Sequence, residues 1–167
     1  MNVDEQIKIW MKYSTPGKAH NEFAKYVGDW NVVSKMWQAP DTEPVISEGT
    51  VNMKLLLGGR YFKTAYNATY MGMPFEGIAV DAYDNAKKQY ISIWMDNVGT
   101  GISMMYGKSD DEGKTIFYEG LMFDPIQNKD VKIKSIVHYI SENEIQMEMY
   151  GYYNDVEFKS MEMKYTR

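Results

Sequence analysis

Three carboxylate–glycine pairs stand inside segments that otherwise read as β-strands: Glu48-Gly49 in ISEGTVN, Glu76-Gly77 in PFEGIAV and Glu119-Gly120 in FYEGLMF. Together with Asp96 and the two histidines, His20 and His138, these acids are of the types that carry general acid–base chemistry. Two carboxylates acting as acid and base must stand a definite distance apart, and spacing along a chain does not supply that distance. Glycine weakens a strand interior and marks a sharp bend or a close approach of another group. The glycines therefore read as the signal and the glutamates as their neighbours. Alternation supports this in 45–56, where Val45, Val51, Met53 and Leu55 share the inner face with Gly49, and Glu48, Thr50, Asn52 and Lys54 take the other. In 75–83 and 115–123 both faces are mixed, so Glu76 and Glu119 take no assignment.

Other reactive constellations are missing. The chain has no G-x-S-x-G, H-E-x-x-H, P-loop or G-x-G-x-x-G, and Gly99-Thr100-Gly101 reads as a turn. With no cysteine and two histidines, thiol chemistry and a His-rich metal site are excluded, and no metal is expected. His20 reads as a capping or packing residue in the first turn of a helix. His138, in a strand over 130–141, shares its face with Ile136 and Ile140 and reads as an inward residue in or near a pocket.

The elements that position these groups follow from periodicity. Val3, Ile7, Trp10 and Met11 lie on one helix face, with Asn2 or Asp4 as cap. Thr15-Pro16-Gly17 breaks that helix, and a second follows with Ala19, Phe23 and Val27 inward and Gly28 at its end. From there the period falls to about two, giving strands over 29–38, 45–57, 60–70, 75–84, 88–96, 100–108, 114–124, 130–141, 144–153 and 156–166. Turn chemistry joins them at Asp84-Asn85, Asp110-Asp111-Glu112-Gly113, Glu142-Asn143 and Asn154-Asp155. The connections are too short for crossover helices, so neighbours pair antiparallel. About ten such strands lose their exposed edges by closing into an up-and-down barrel wide enough for an interior, which is favoured over a sandwich. The expected organisation is an N-terminal helix and linker over 1–16 and a single all-β barrel domain over 17–167.

Composition sets the class. The chain of 167 residues carries 18 basic and 23 acidic side chains, a net charge of −5, which argues against nucleic acid. No window reaches the roughly 18 apolar residues of a membrane span, and the N-terminus lacks a signal-peptide core, so cytoplasmic residence is expected. Fourteen tyrosines and fourteen methionines suit an adaptable apolar pocket, although the same residues also serve plain packing.

Gly28-Asp29-Trp30, opening the first strand after a short helix, resembles the G-x-W signature of lipocalins and other calycins. The resemblance implies that Trp30 closes one end of the barrel beneath a basic side chain of the last strand, Arg167 first and Lys164 second. A wider resemblance runs from His20 to Arg167: HNEFAKYVGDW, Glu48-Gly49, Leu57-Gly58-Gly59-Arg60-Tyr61, Phe75-Glu76-Gly77, Tyr83-Asp84, Tyr90, Trp94-Met95-Asp96 and the pattern from Lys159 to Arg167. In this ordered set the chain is similar to the bacterial domain of unknown function family 1579 (DUF1579), which implies a calycin-like barrel and no particular activity. Gly28, Trp30, Gly49, Arg60, Gly77, Gly120 and Arg167 are the chain's expected structural positions, with Arg60 paired to a carboxylate such as Asp84 or Asp96.

The leading expectation is non-catalytic binding of a small, mainly apolar molecule inside the barrel. Met53, Tyr66, Trp94, Met104 and Tyr118 would form the wall, and Glu76, Asp96, Glu119 or His138 the polar anchors. The alternatives are a hydrolase or isomerase using Glu76, Asp96 or His138, and a homodimeric interaction module docking through Trp10. No cofactor is expected. An inward His138 resembles the iron-ligating histidine of haem-binding nitrobindin-type barrels, but Asn31-Val32-Val33 after Trp30 departs from their spaced glycines.

Overall fold

The computed structural model describes residues 1–109, 111–125, 127–153 and 156–167. The turn residues Asp110, Asn154 and Asn154's neighbour Asp155 lie outside the described residues. Strand pairing begins at Gly28 and runs through β1 (Gly28–Met36), β2 (Val45–Leu56), β3 (Tyr61–Tyr70), β4 (Met73–Asp84), β5 (Gln89–Asp96), β6 (Ser103–Lys108), β7 (Thr115–Asp124), β8 (Lys129–Ser141), β9 (Glu144–Tyr153) and β10 (Val156–Thr166). Each strand pairs antiparallel with the next, and β1 pairs with β10, so the sheet closes into an up-and-down barrel as expected. The seam runs from Asn31 opposite Thr166 to Met36 opposite Met161. Closure leaves no row of backbone donors and acceptors as an open edge.

Two helices precede the barrel. The first, α1 (Val3–Ser14), is capped by Asn2, whose side chain accepts from Glu5 N while Glu5 returns a bond to Asn2 N, each at 2.9 Å. None of its residues is buried. The second, α2 (Lys18–Phe23), continues into a 3-10 turn over Ala24–Tyr26 and plugs one end of the barrel. Its inner residues are His20, Phe23 and Tyr26. Val27, expected inward by helical spacing, is instead 40% exposed, because the tightened turn brings Tyr26 round to the core. Phe23 stacks on Phe62 of β3, ring centroids 5.1 Å apart. His20 Nδ1 accepts from Gly17 N at 3.0 Å, and burial lowers the pKa of its ring.

Trp30 is 2% exposed and donates through Nε1 to the Tyr26 carbonyl at 2.9 Å. The Arg167 guanidinium lies 4.5 Å from the Trp30 ring centroid and donates to the carbonyls of Val27 (2.9 Å) and Lys25 (2.8 Å). One cation therefore ties the end of the chain to the plug and to the first strand. Gly28 fits beside it with φ +134°, a conformation disfavoured for other residues. Arg60 does not pair with Asp84 or Asp96. Its Nη1 donates to Leu57 O at 3.0 Å, Asp84 accepts the backbone N–H groups of Ala86 and Lys87, and Asp96 serves Trp94 and Val98.

Arg167→Ala removes a cation–π contact and three charge-assisted hydrogen bonds, to Val27 O, Lys25 O and Asn143 Oδ1, and is expected to cost about 2 kcal/mol, with Arg167→Lys recovering only part. Urea unfolding at neutral pH measures both losses.

Candidate functional site

The cross-strand register fixes which side chains look into the barrel. Val51 pairs with Tyr66 and Tyr66 with Gly77, while Phe62 pairs with Asp81 and Asp81 with Ser92. Gly107 pairs with Tyr118, Tyr118 with Ser135 and Ser135 with Met149. The buried residues Trp30, Val51, Phe62, Tyr66, Tyr118 and Ser135 all fall on this face. The inner face thus combines aromatic rings on β3, β5 and β7 with the thioethers of Met147, Met149, Met161 and Met163 on β9 and β10.

Gly77 shows why glycine stands here. A Cβ at this position would run into the Trp94 indole, so its absence lets the ring approach the β4 backbone closely. Gly49 and Gly120 likewise face inward, each against a neighbouring strand's carbonyl. Trp94 meets Tyr66 edge-on at 5.1 Å and Phe75 face-on at 6.3 Å, and its Nε1 donates to Asp96 Oδ2 at 2.7 Å.

Among the expected pocket residues, Met53, Tyr66, Trp94, Asp96 and Tyr118 share the inner register. The structure does not bring the other four to them. Glu76 and Glu119 are exposed and point outward because each precedes an inward glycine, and strand alternation leaves no other choice. Met104 is 41% exposed, since its neighbour Met105 takes the inner position. His138 also faces outward: Val137 and Tyr139 pack against the core, and its Nδ1 lies 3.4 Å from Thr115 Oγ1. The inward reading of His138 is therefore overturned, and with it the fit to an interior haem. The other histidine, His20, is occupied in the plug.

The acid that does face inward was missed. Asp81 lies on the inner face toward the plug end of β4, part-buried, with Ser92 opposite it in register and beside its carboxyl. Burial lifts its pKa from an ordinary 3.8 to about 6. The hydroxyls of Tyr66, Tyr118, Tyr139 and Tyr165 are near enough to feel its charge, and burial raises the pKa of all four phenols. The Tyr66 and Tyr165 hydroxyls bond to each other at 2.7 Å. Ser135, 1% exposed, has a hydroxyl with no hydrogen-bond partner. Glycine parity carried the signal for Asp81: if Gly77 faces inward as Gly49 does, so do Ala79, Asp81 and Tyr83.

Space inside is divided. A cavity of about 20 Å³, room for one water, lies under the plug between Phe23, Tyr26, Tyr90, Ile116 and Tyr139. Asp81 and Tyr139 face inward yet keep some accessible surface, and Tyr139 lines that small cavity. A second hollow of about 420 Å³ is an open, polar groove on the outside of β1–β3, along Asp29, Asn31, Thr50, Asn52 and Asn67. Neither is a ready-made chamber at the barrel's centre. Among the described residues no group of three or more potential ligands could hold a metal ion, and no helix is long and apolar enough to cross a membrane.

Closed register, a helical plug and an indole under a cation define a calycin-like barrel. The chain belongs to the protein family of unknown function DUF1579, whose model matches residues 15–167. A search of curated proteins finds no match. Among solved structures, the chain is similar to Rv2717c from M. tuberculosis (TM-score 0.68, 12% identity, covering 92% of this chain and 99% of that one). It is also similar to the S-type phycobiliprotein lyase CPES from Guillardia theta (TM-score 0.60, 6% identity, covering 94% and 95%). At these identities the likeness is one of fold.

Asp81 yields a signed prediction. Its carboxyl ionises less readily folded than unfolded, so stability falls as pH rises from about 4 to about 6 and stays reduced above. Asp81→Asn removes that burden and is expected to add up to about 3 kcal/mol at pH 7.5 and little at pH 4. Urea unfolding at the two pH values measures the difference.

Proposed function

We propose that this barrel binds a small, mainly apolar molecule in its lumen without transforming it. The observation that carries the reading is the make-up of the inner face: aromatic and thioether walls, with a few polar groups at defined depths. The end opposite the plug supports it. The loops and strand ends there expose Met71, Met73, Val98, Ile102 and, on the outer side of β7, Leu121 and Phe123, each more than half accessible, which gives an apolar guest a low-cost path to the mouth. Methionine chains shift between rotamers at little cost, so the lumen can widen around a guest. The barrel of the phycobiliprotein lyase lends this reading an analogy of fold.

Acid–base catalysis is the second reading, and one observation favours it. The inward carboxyl of Asp81 titrates near 6, close to neutrality, as a general base requires. Glu76, Glu119 and His138 face away from the lumen and lend it nothing.

Nile red, an uncharged apolar dye, tests the binding reading by fluorescence titration. The expected outcome is saturable binding of one dye per chain. Ala79→Phe, which fills the inner face beside Trp94, should weaken it about 10-fold, and Trp10→Ser on α1 should leave it unchanged. Binding that is unsaturable, or that follows Trp10 and not Ala79, would defeat the lumen as the site.

A further inference from the structure

The lumen's charge is one-sided. Among the described residues, no lysine or arginine takes an inner-register position deeper than the mouth pair Asp124–Lys129. Asp81 therefore stands part-buried on the inner face, opposite Phe62 and Ser92, with no cation of that face beside it. A buried carboxylate usually has a cationic partner or several hydrogen bonds. The groups facing it from the surrounding strands are the neutral phenols of Tyr66, Tyr118, Tyr139 and Tyr165. Ser135 adds a second unmet demand. It is buried to 1% exposure, unpartnered, on the inner face, and it neighbours Tyr118 in register.

We infer that the ligand is a cationic amine on an apolar chain or ring, its ammonium held by Asp81 within the lumen. The inference rests on the lumen-binding reading above and supplies the head group that reading leaves open. An ammonium offers up to three donors, and the two carboxyl oxygens of Asp81 can accept from it. The π faces of Tyr66 and Trp94 favour a cation on its way past them, and the methionine thioethers hold the apolar remainder. A carboxylate ligand of the same shape meets like charge at Asp81 and no compensating cation. The site thus discriminates against fatty-acid anions while accepting the matched amine.

Isothermal titration of the full chain with octylamine, octanol and octanoate at pH 7.5 separates the possibilities. The amine should bind about 10-fold or more tighter than the alcohol, and octanoate weakest of the three. Asp81→Asn should bring the amine to the alcohol's affinity, while Glu119→Gln, on the outer face, should change nothing. If none of the three binds, lumen binding itself fails and this inference with it. If the alcohol binds and the amine is no tighter, or if octanoate wins, the carrier stands and the amine is refuted. An amine preference that survives Asp81→Asn refutes the role of Asp81. Because the wild-type series decides the ligand class alone, a poorly folding variant would not shelter the inference.

Discussion

The pairing of Asn31 with Thr166 through Met36 with Met161 joins strands more than 120 positions apart, and the rest of the molecule depends on that seam. Without it, β1 and β10 would be open edges, and the inner face would be one side of a sheet facing water. With it, alternate residues of ten strands turn toward a common axis, and burial becomes a matter of parity. The plug makes the seam secure. Trp30 lies under Arg167, and Arg167 reaches the carbonyls of Lys25 and Val27, so the first strand, the last strand and the helical lid meet at one cation.

Much of this architecture was legible in the chain. Turn residues marked the strand boundaries, with β2 expected over 45–57 and found over Val45–Leu56, and β9 and β10 found over the expected spans. The site was less legible, for a physical reason. On β4 the outer face carries Ile78, Val80 and Ala82, while the inner face carries Gly77, Ala79 and Asp81. The usual rule that apolar residues face the core is inverted there, so hydrophobic alternation cannot place Glu76 or Asp81. On β8, Ile136 and Ile140 outside made His138 look inward by the same inversion. Steric demand is the better guide in such a sheet. A glycine that must yield to Trp94 fixes the parity of its whole strand, whatever the hydropathy of its neighbours.

In the proposed binding role, Asp81 also links fold to function. A lumen made only of methionine and aromatic side chains would collapse on itself with no preference among apolar guests. One inward carboxyl, ringed by phenols and with no inner-face cation beside it among the described residues, costs stability and, in the proposed role, sets polarity along the barrel axis. Polar groups poised near a functional site commonly sit at such a cost, while the seam and plug hold the frame around them.

The first helix stands apart from all this. Its backbone ends are satisfied by its own residues, through the Asn2–Glu5 exchange and the Thr15 hydroxyl on Met11 O, and it buries none of its side chains. Its visible hold on the barrel is the Asn85 amide, which donates to the carbonyls of Tyr13 and Thr15. A twelve-residue helix held this way is marginal in water, and its opening does not wait for the barrel to unfold. Amide exchange along it is therefore uncoupled from the strands, and a protease can trim it while the cylinder behind stays whole.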